Sequence, residues 1–146
     1  MIPGWSAEAM GELGSRHAEL EARGDLDALL ETLAPDPFYA FLPLGRCMRG
    51  DAWVRRFYIQ FIENFLPLRS RVEMRGEWVN PSSVVQEYVL DFEIDGGQQR
   101  HHVVGILYVD PASAALGKLR GERVYASEEF IRLMTGELFD ELERLP

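Results

Sequence analysis

Proton transfer near neutral pH calls for imidazole, and the chain carries it at His17, His101 and His102. Met10, Leu13, His17 and Leu20 recur at steps of three, four and three, which puts His17 on the apolar face of a helix. His101 and His102 are neighbours in an alternating, strand-like run, so they point to opposite faces. The turn signal Asp95-Gly96-Gly97 decides which face is which. Any two-residue turn within it pairs even residues of the preceding strand with odd residues of the following one. His101 then joins Tyr88, Leu90 and Phe92, whereas His102 joins Glu87 and Asp91. With Gly96-Gly97 as the turn, Glu93 lies opposite Arg100 and Asp91 opposite His102, a register the charges favour. His17 and His101 are therefore expected to face one interior, as acid–base residues or as hydrogen-bonded core histidines.

Other side chains could complete such a site. Tyr58 or Tyr88 could orient a substrate or stabilise an oxyanion, and Glu122, on the strand-like LRGERVYA, could be the carboxylate partner. Phe41, Trp53, Phe57, Trp78, Tyr88, Leu90 and Phe92 could line an apolar pocket, or simply form the core. Metal binding is not expected, because adjacent strand histidines cannot both reach one ion. No Gly-rich phosphate loop or Ser-centred nucleophile elbow is present, and no cofactor is expected.

The elements that must position these residues follow from period and punctuation. Ser6 caps a helix running to Arg23, Gly24 ends it, and Asp25 caps a second helix with the stripe Leu26, Leu29, Leu30, Leu33. Pro35 and Pro37 stop that helix, and Phe38 to Leu44 reads as an apolar strand covered on both sides. A turn at Gly45 to Gly50 precedes a helix from Ala52 to Phe65, whose stripe holds Trp53, Val54, Phe57, Tyr58, Phe61, Ile62 and Phe65.

The period then falls to two. Strands are expected over Arg71–Val79, Val84–Ile94, Gln99–Val109 and Leu119–Ala126, with Val72, Met74 and Trp78 sharing one face of the first. Ile131, Met134, Leu138, Leu142 and Leu145 mark a final helical stripe that Gly136 can divide. Helices first and antiparallel strands after predict an α+β domain, with N-terminal helices packed on a curved, mostly antiparallel sheet enclosing a pocket.

Composition narrows the setting. The 146 residues suit one domain, and a net charge of -9 argues against nucleic acid or an anionic membrane as partner. The one cysteine, Cys47, excludes an intramolecular disulfide and favours a reducing compartment. The start MIPGW lacks the basic and apolar regions of a signal peptide, and no run approaches membrane-spanning length. A cytoplasmic protein is expected.

These motifs resemble the SnoaL-like and ketosteroid-isomerase-like branch of the nuclear transport factor 2 superfamily. The likeness rests on Gly24-Asp25-Leu26-Asp27, Leu33-Ala34-Pro35-Asp36, Arg49-Gly50, Arg56-Phe57-Tyr58 and the ending GKLRGERVYAS, over residues 6–127 of a single domain spanning 1–146, with 128–146 as a helical extension. The resemblance implies a cone-shaped domain with a pocket for a small apolar, cyclic or polyketide-like molecule. It places His17 where the isomerases carry an oxyanion-stabilising Tyr, and Tyr58 on the Tyr that supports that residue. Their general-base Asp falls on Phe41 or Leu42, and their protonated Asp near Gly105 or Ile106. A standard ketosteroid isomerase is therefore not expected. A cofactor-independent isomerase, cyclase or dehydratase working through His17, His101 and Tyr58 is, with a non-catalytic binder of ligand or protein as the alternative. The resemblance also implies a homodimer through the outer face of the sheet, where Val104, Ile106 and Tyr108 lie.

Overall fold

The computed structural model describes residues 3–146. Its order is α1 (Ala7–Arg23), α2 (Leu26–Glu31), β1 (Leu33–Leu42), β2 (Arg46–Arg49), α3 (Asp51–Gln60), β3 (Arg69–Asn80), β4 (Ser83–Ile94), β5 (Gly97–Tyr108), α4 (Pro111–Ala115), β6 (Leu119–Tyr125), α5 (Glu128–Thr135) and β7 (Glu143–Arg144). The seven strands form one sheet in the order β3-β4-β5-β6-β1-β2-β7, antiparallel throughout except where β1 runs parallel to β6. The helices pack on the inner face, giving the expected α+β architecture on a curved sheet. No helix among the described residues is long and apolar enough to cross a membrane.

Local chemistry explains the helix that carries His17. The Ser6 side chain accepts from the Ala9 N–H, and Gly24, at φ 68°, takes the left-handed conformation that ends α1 cheaply. Gly14 leaves room for Val84, whose Cγ2 would stand 2.8 Å from any Cβ, so α1 lies close against β4. Leu33, expected on the second helix, instead starts β1. That strand carries Pro35 and Pro37 through an irregularity between Leu33 and Phe38, where Asp36 has φ 59°. A proline that breaks a helix is tolerated where the ladder is already interrupted.

Residues 46–49, read as part of a turn, form β2, because each pairs across to β1. The helix expected through Phe65 changes at Phe61 into a π-helical turn over Phe61–Phe65. The wider turn keeps Phe61 and Phe65 on one side, with rings 4.8 Å apart. Within the expected loop after β5, Asp110 and Ser113 form a capping box that opens α4. The C-terminal stripe divides at Gly136 as anticipated, into α5, a 3₁₀ turn over Gly136–Glu141 and the short β7.

Two registers differ from expectation. The β4–β5 turn is Asp95-Gly96, with positive φ at both residues and Ile94 paired to Gly97. Asp-Gly supplies the positive φ of a type I′ turn while leaving Gly97 in the ladder. Asp91 consequently faces Arg100, with Nε 2.8 Å from Oδ1, rather than His102. His101 still shares the inner face with Leu90, because the parity argument holds for any two-residue turn. In β3 a bulge between Met74 and Gly76 inserts one residue and flips the phase. Val72 and Met74 stay on the inner side opposite Leu90 and Tyr88, whereas Trp78 pairs with Val85 on the outer side and is 58% exposed.

Candidate functional site

The inner face of the sheet, α1, the π turn and α5 enclose a cavity of about 170 Å³. Its walls are chiefly apolar, with Phe61, Phe65, Leu90, Val103, Leu107 and Phe130 among them. His17 and Glu21 project into it from α1, one helical turn apart, and Glu122 faces them from β6. Arg69, Val72, Gln86 and Tyr88 line the side toward the sheet edge, where Val72 is 43% exposed.

His17 is 1% exposed and its ring is fixed at both nitrogens. Nδ1 lies 2.7 Å from Thr32 Oγ1, and the Thr32 hydroxyl donates to the Leu29 carbonyl at 2.6 Å. The hydroxyl proton being used, Thr32 can only accept from the ring, so Nδ1 carries the hydrogen and neutral His17 keeps its lone pair on Nε2. Nε2 stands 3.3 Å from the Tyr58 hydroxyl and 3.5 Å from Glu21 Oε2.

Tyr58 is itself paired with Tyr39 at 2.6 Å, both fully buried. If Tyr39 donates to Tyr58, and Tyr58 onward to Nε2 or Glu21, every proton in the chain has an acceptor; the opposite sense strands the Tyr39 proton. Tyr58 has a choice of acceptors, since Glu21 Oε2 is also 3.3 Å away. Burial pushes both hydroxyls well above the usual tyrosine pKa, so they remain donors.

Glu122 is the least compensated group here. What surface it keeps faces the cavity, its carboxyl lies over Gly105, and no hydrogen bond reaches it among the described residues. Burial first, and then the charge of Glu21, push its pKa well above the carboxylate range. Glu122 is thus set up to hold a proton that an ordinary surface glutamate would lose. Gly105 is what admits it, because a Cβ there would come within 2.9 Å of Glu122 Oε1. Tyr88 donates to Gln86, which donates to Glu77, and burial raises the Tyr88 hydroxyl as well.

His17, Glu21 and Glu122 also offer three ligand atoms within 4.8 Å of one another, the residue types of a divalent-cation site. A cation there would compete with Tyr58 for the Nε2 lone pair and would need Glu122 in its ionised form.

Of the residues singled out from sequence, the structure brings His17, Tyr88, Leu90 and Glu122 to the cavity and sets Tyr58 directly behind His17. His101 does not reach it. Its ring is packed against Phe92 and Phe130, at 5.8 and 5.6 Å, and Nε2 lies 3.0 Å from Gln99 Oε1. Four residue pairs along the sheet from Gln86 and Gly105 carry it to where α5 covers the strands. Phe41, Phe57 and Phe92 pack in the core beside the cavity, Trp53 packs at the core margin with its indole N–H buried and unpartnered, and Trp78 lies on the opposite face. Sequence reasoning missed Glu21, Thr32, Tyr39, Arg69 and Gln86. Glu21 was accessible to it, since His17 and Glu21 are four apart on one helix; Tyr39 and Thr32 gave no signal, because only the packing of β1 and α2 beside α1 and α3 makes them neighbours.

No protein-family model matches this chain, and no curated protein does. Solved structures do. An uncharacterized protein conserved in bacteria with a cystatin-like fold, from Silicibacter pomeroyi DSS-3, aligns with a TM-score of 0.62 at 13% identity, over 84% of this chain and 79% of its own. A de novo designed protein with a curved β-sheet aligns with a TM-score of 0.61 at 18% identity, over 87% and 92%. At such identities the likeness is one of fold: helices packed on a strongly curved sheet.

Proposed function

We propose that this chain is a SnoaL-like pocket protein that moves protons on a small cyclic or polyketide-like substrate, as a cofactor-independent isomerase, cyclase or dehydratase. The observation that carries the reading is a histidine of fixed tautomer opposite a glutamate, raised in pKa by burial, in a mostly apolar cavity. Tyr58 turns its O–H from Nε2 to Glu21, which frees the His17 lone pair. Nε2 then takes a proton from a carbon beside a substrate carbonyl, while the Glu122 O–H bonds to the carbonyl oxygen where negative charge develops. The imidazolium is held by Thr32 at Nδ1 and by Glu21 beside Nε2. Returning the proton to a second carbon completes an isomerisation, and delivering it to a departing hydroxyl completes a dehydration. His101 has no part in this scheme.

The outer face of the sheet supports self-association. Trp78, Val85 and Ile106 form one cross-strand row there, Tyr125 is 38% exposed nearby, and α5 packs on the other face. We read this as a homodimer surface in a cytoplasmic protein.

The test begins with a screen of cyclic ketones and hydroxyketones by solvent deuterium exchange at carbon, detected by NMR. Any compound exchanged by the protein is then run with His17→Ala and Glu122→Gln. Loss of about 10²–10⁴-fold in the first and a smaller loss in the second support catalysis. Binding without exchange, or exchange unchanged in rate by either substitution, supports a non-catalytic binder instead.

A further inference from the structure

The cavity has a second polar feature, outside the His17 proton chain. Arg69 is the first residue of β3 and lines the cavity where it opens beside the edge strand. It is half-buried, and no carboxylate lies within 4 Å of its guanidinium among the described residues. Its neighbours Arg71 and Arg75 on the same strand both pair with Glu73. A guanidinium drawn out of water without a fork-shaped acceptor leaves donors that a carboxylate fits in two parallel hydrogen bonds. Burial lowers the Arg69 pKa, with Glu21 opposing that shift from across the cavity.

Size sets the other limit. A cavity of about 150 Å³ lined by aliphatic and aromatic side chains is enough to hold benzene, and the one here is about 170 Å³. It accommodates one ring with a small substituent; a fused polycycle would project from the open side. Leu90, Val103, Leu107 and Phe65 supply apolar wall beside Glu122 and Arg69.

We propose that the ligand is a single-ring carboxylate, its ring on the apolar wall, its anionic group held by Arg69 and its reacting end turned toward His17 and Glu122. This rests on the pocket reading above and names the class of molecule the pocket takes. The carboxylate stays at the Arg69 end because Arg69 is the one guanidinium or ammonium side chain lining the cavity among the described residues.

Near-isosteric probes separate charge from shape. Cyclohexanecarboxylate and cyclohexanecarboxamide are titrated by NMR into the full chain, to about 10 mM, so that affinities weaker than millimolar are still seen. The carboxylate is expected to bind at least about tenfold more tightly, as a charge-assisted pair allows. Arg69→Met and Arg69→Gln, each checked for a native NMR spectrum, should bring the two probes to equal affinity, and Arg69→Lys should restore part of the difference. Decalin-2-carboxylate should bind more weakly than the one-ring acid. Equal affinity of acid and amide for the wild type, or a preference that survives both neutral substitutions, overturns the role of Arg69 while leaving the pocket standing. Tighter binding of the two-ring acid overturns the size limit. No binding by either one-ring probe removes both this inference and the pocket reading.

Discussion

His17 is 1% exposed and His101 9%, and both point into the space between the helices and the sheet. Their surroundings are unlike. His17 has a hydrogen-bond partner at each ring nitrogen, a carboxylate beside the second, and a cavity in front of it. His101 has two phenyl rings for neighbours and one amide at the strand end, with Glu129 of α5 the charge that acts on it. Burial therefore does not distinguish a histidine that lines a cavity from one that only packs. The difference lies in whether the ring's polar atoms are held in a defined state beside a cavity.

The comparison breaks most readily at Tyr58. Tyr58→Phe leaves both the Tyr39 hydroxyl and His17 Nε2 without partners in a buried site, and should cost about 2–4 kcal/mol of stability in urea denaturation. His101→Leu exchanges a ring between two phenyls for an apolar side chain and should stay within about 1 kcal/mol. Equal costs would show that the two histidines are structurally equivalent after all. Tyr39→Phe is a finer probe. Tyr58 can still donate to Nε2 in that variant, so a loss of only about 1 kcal/mol is expected. A loss matching that of Tyr58→Phe would reverse the direction assigned to the chain.

Titration sharpens the contrast, because the two sites move in opposite directions with pH. The Glu122 pKa is raised in the folded state, so the folded chain binds that proton more tightly than the unfolded one. Its favourable contribution is complete below about pH 4.5 and is lost as pH rises through the folded value. Glu122→Gln should match the wild type near pH 4 and melt a few degrees higher, about 3–5 °C, above neutrality. A melting difference that does not change with pH would remove Glu122 from its assigned state.

The His101 pKa is lowered by burial, against a smaller opposing effect of Glu129. The unfolded chain is thus protonated first, and stability present above about pH 6.5 is lost as pH falls through the folded value. This is the smallest effect of the set. It should appear as a shallow acid-side drop in wild-type melting temperature that is absent from His101→Leu, and a drop of the same size in that variant would assign it to another group.

Much of the site was legible where period and parity carry it. The three-four-three spacing put His17 inward, and two-residue turn parity put His101 and Tyr88 on the inner face even though the turn itself falls one residue earlier. Trp78 was not legible, because its alternation is correct until the bulge at Arg75 reverses it, and one inserted residue leaves no mark in a polar, exposed edge strand. The same limit separates His101 from His17. Facing the same layer is a property of register, whereas sharing a cavity depends on distance along the strand and on where α5 lands.

The sequence alone determined the order and kind of most elements and the inward faces of the helices and strands. Those are local matters of spacing, capping and turn chemistry, written in a few consecutive residues. Tertiary structure alone decided that Thr32 would set the His17 tautomer, that Tyr39 would stand behind Tyr58, and that Glu122 would meet Glu21 across a cavity. Each joins residues from different elements, and the pKa of Glu122 depends on water excluded by all of them together, which spacing within one segment does not encode.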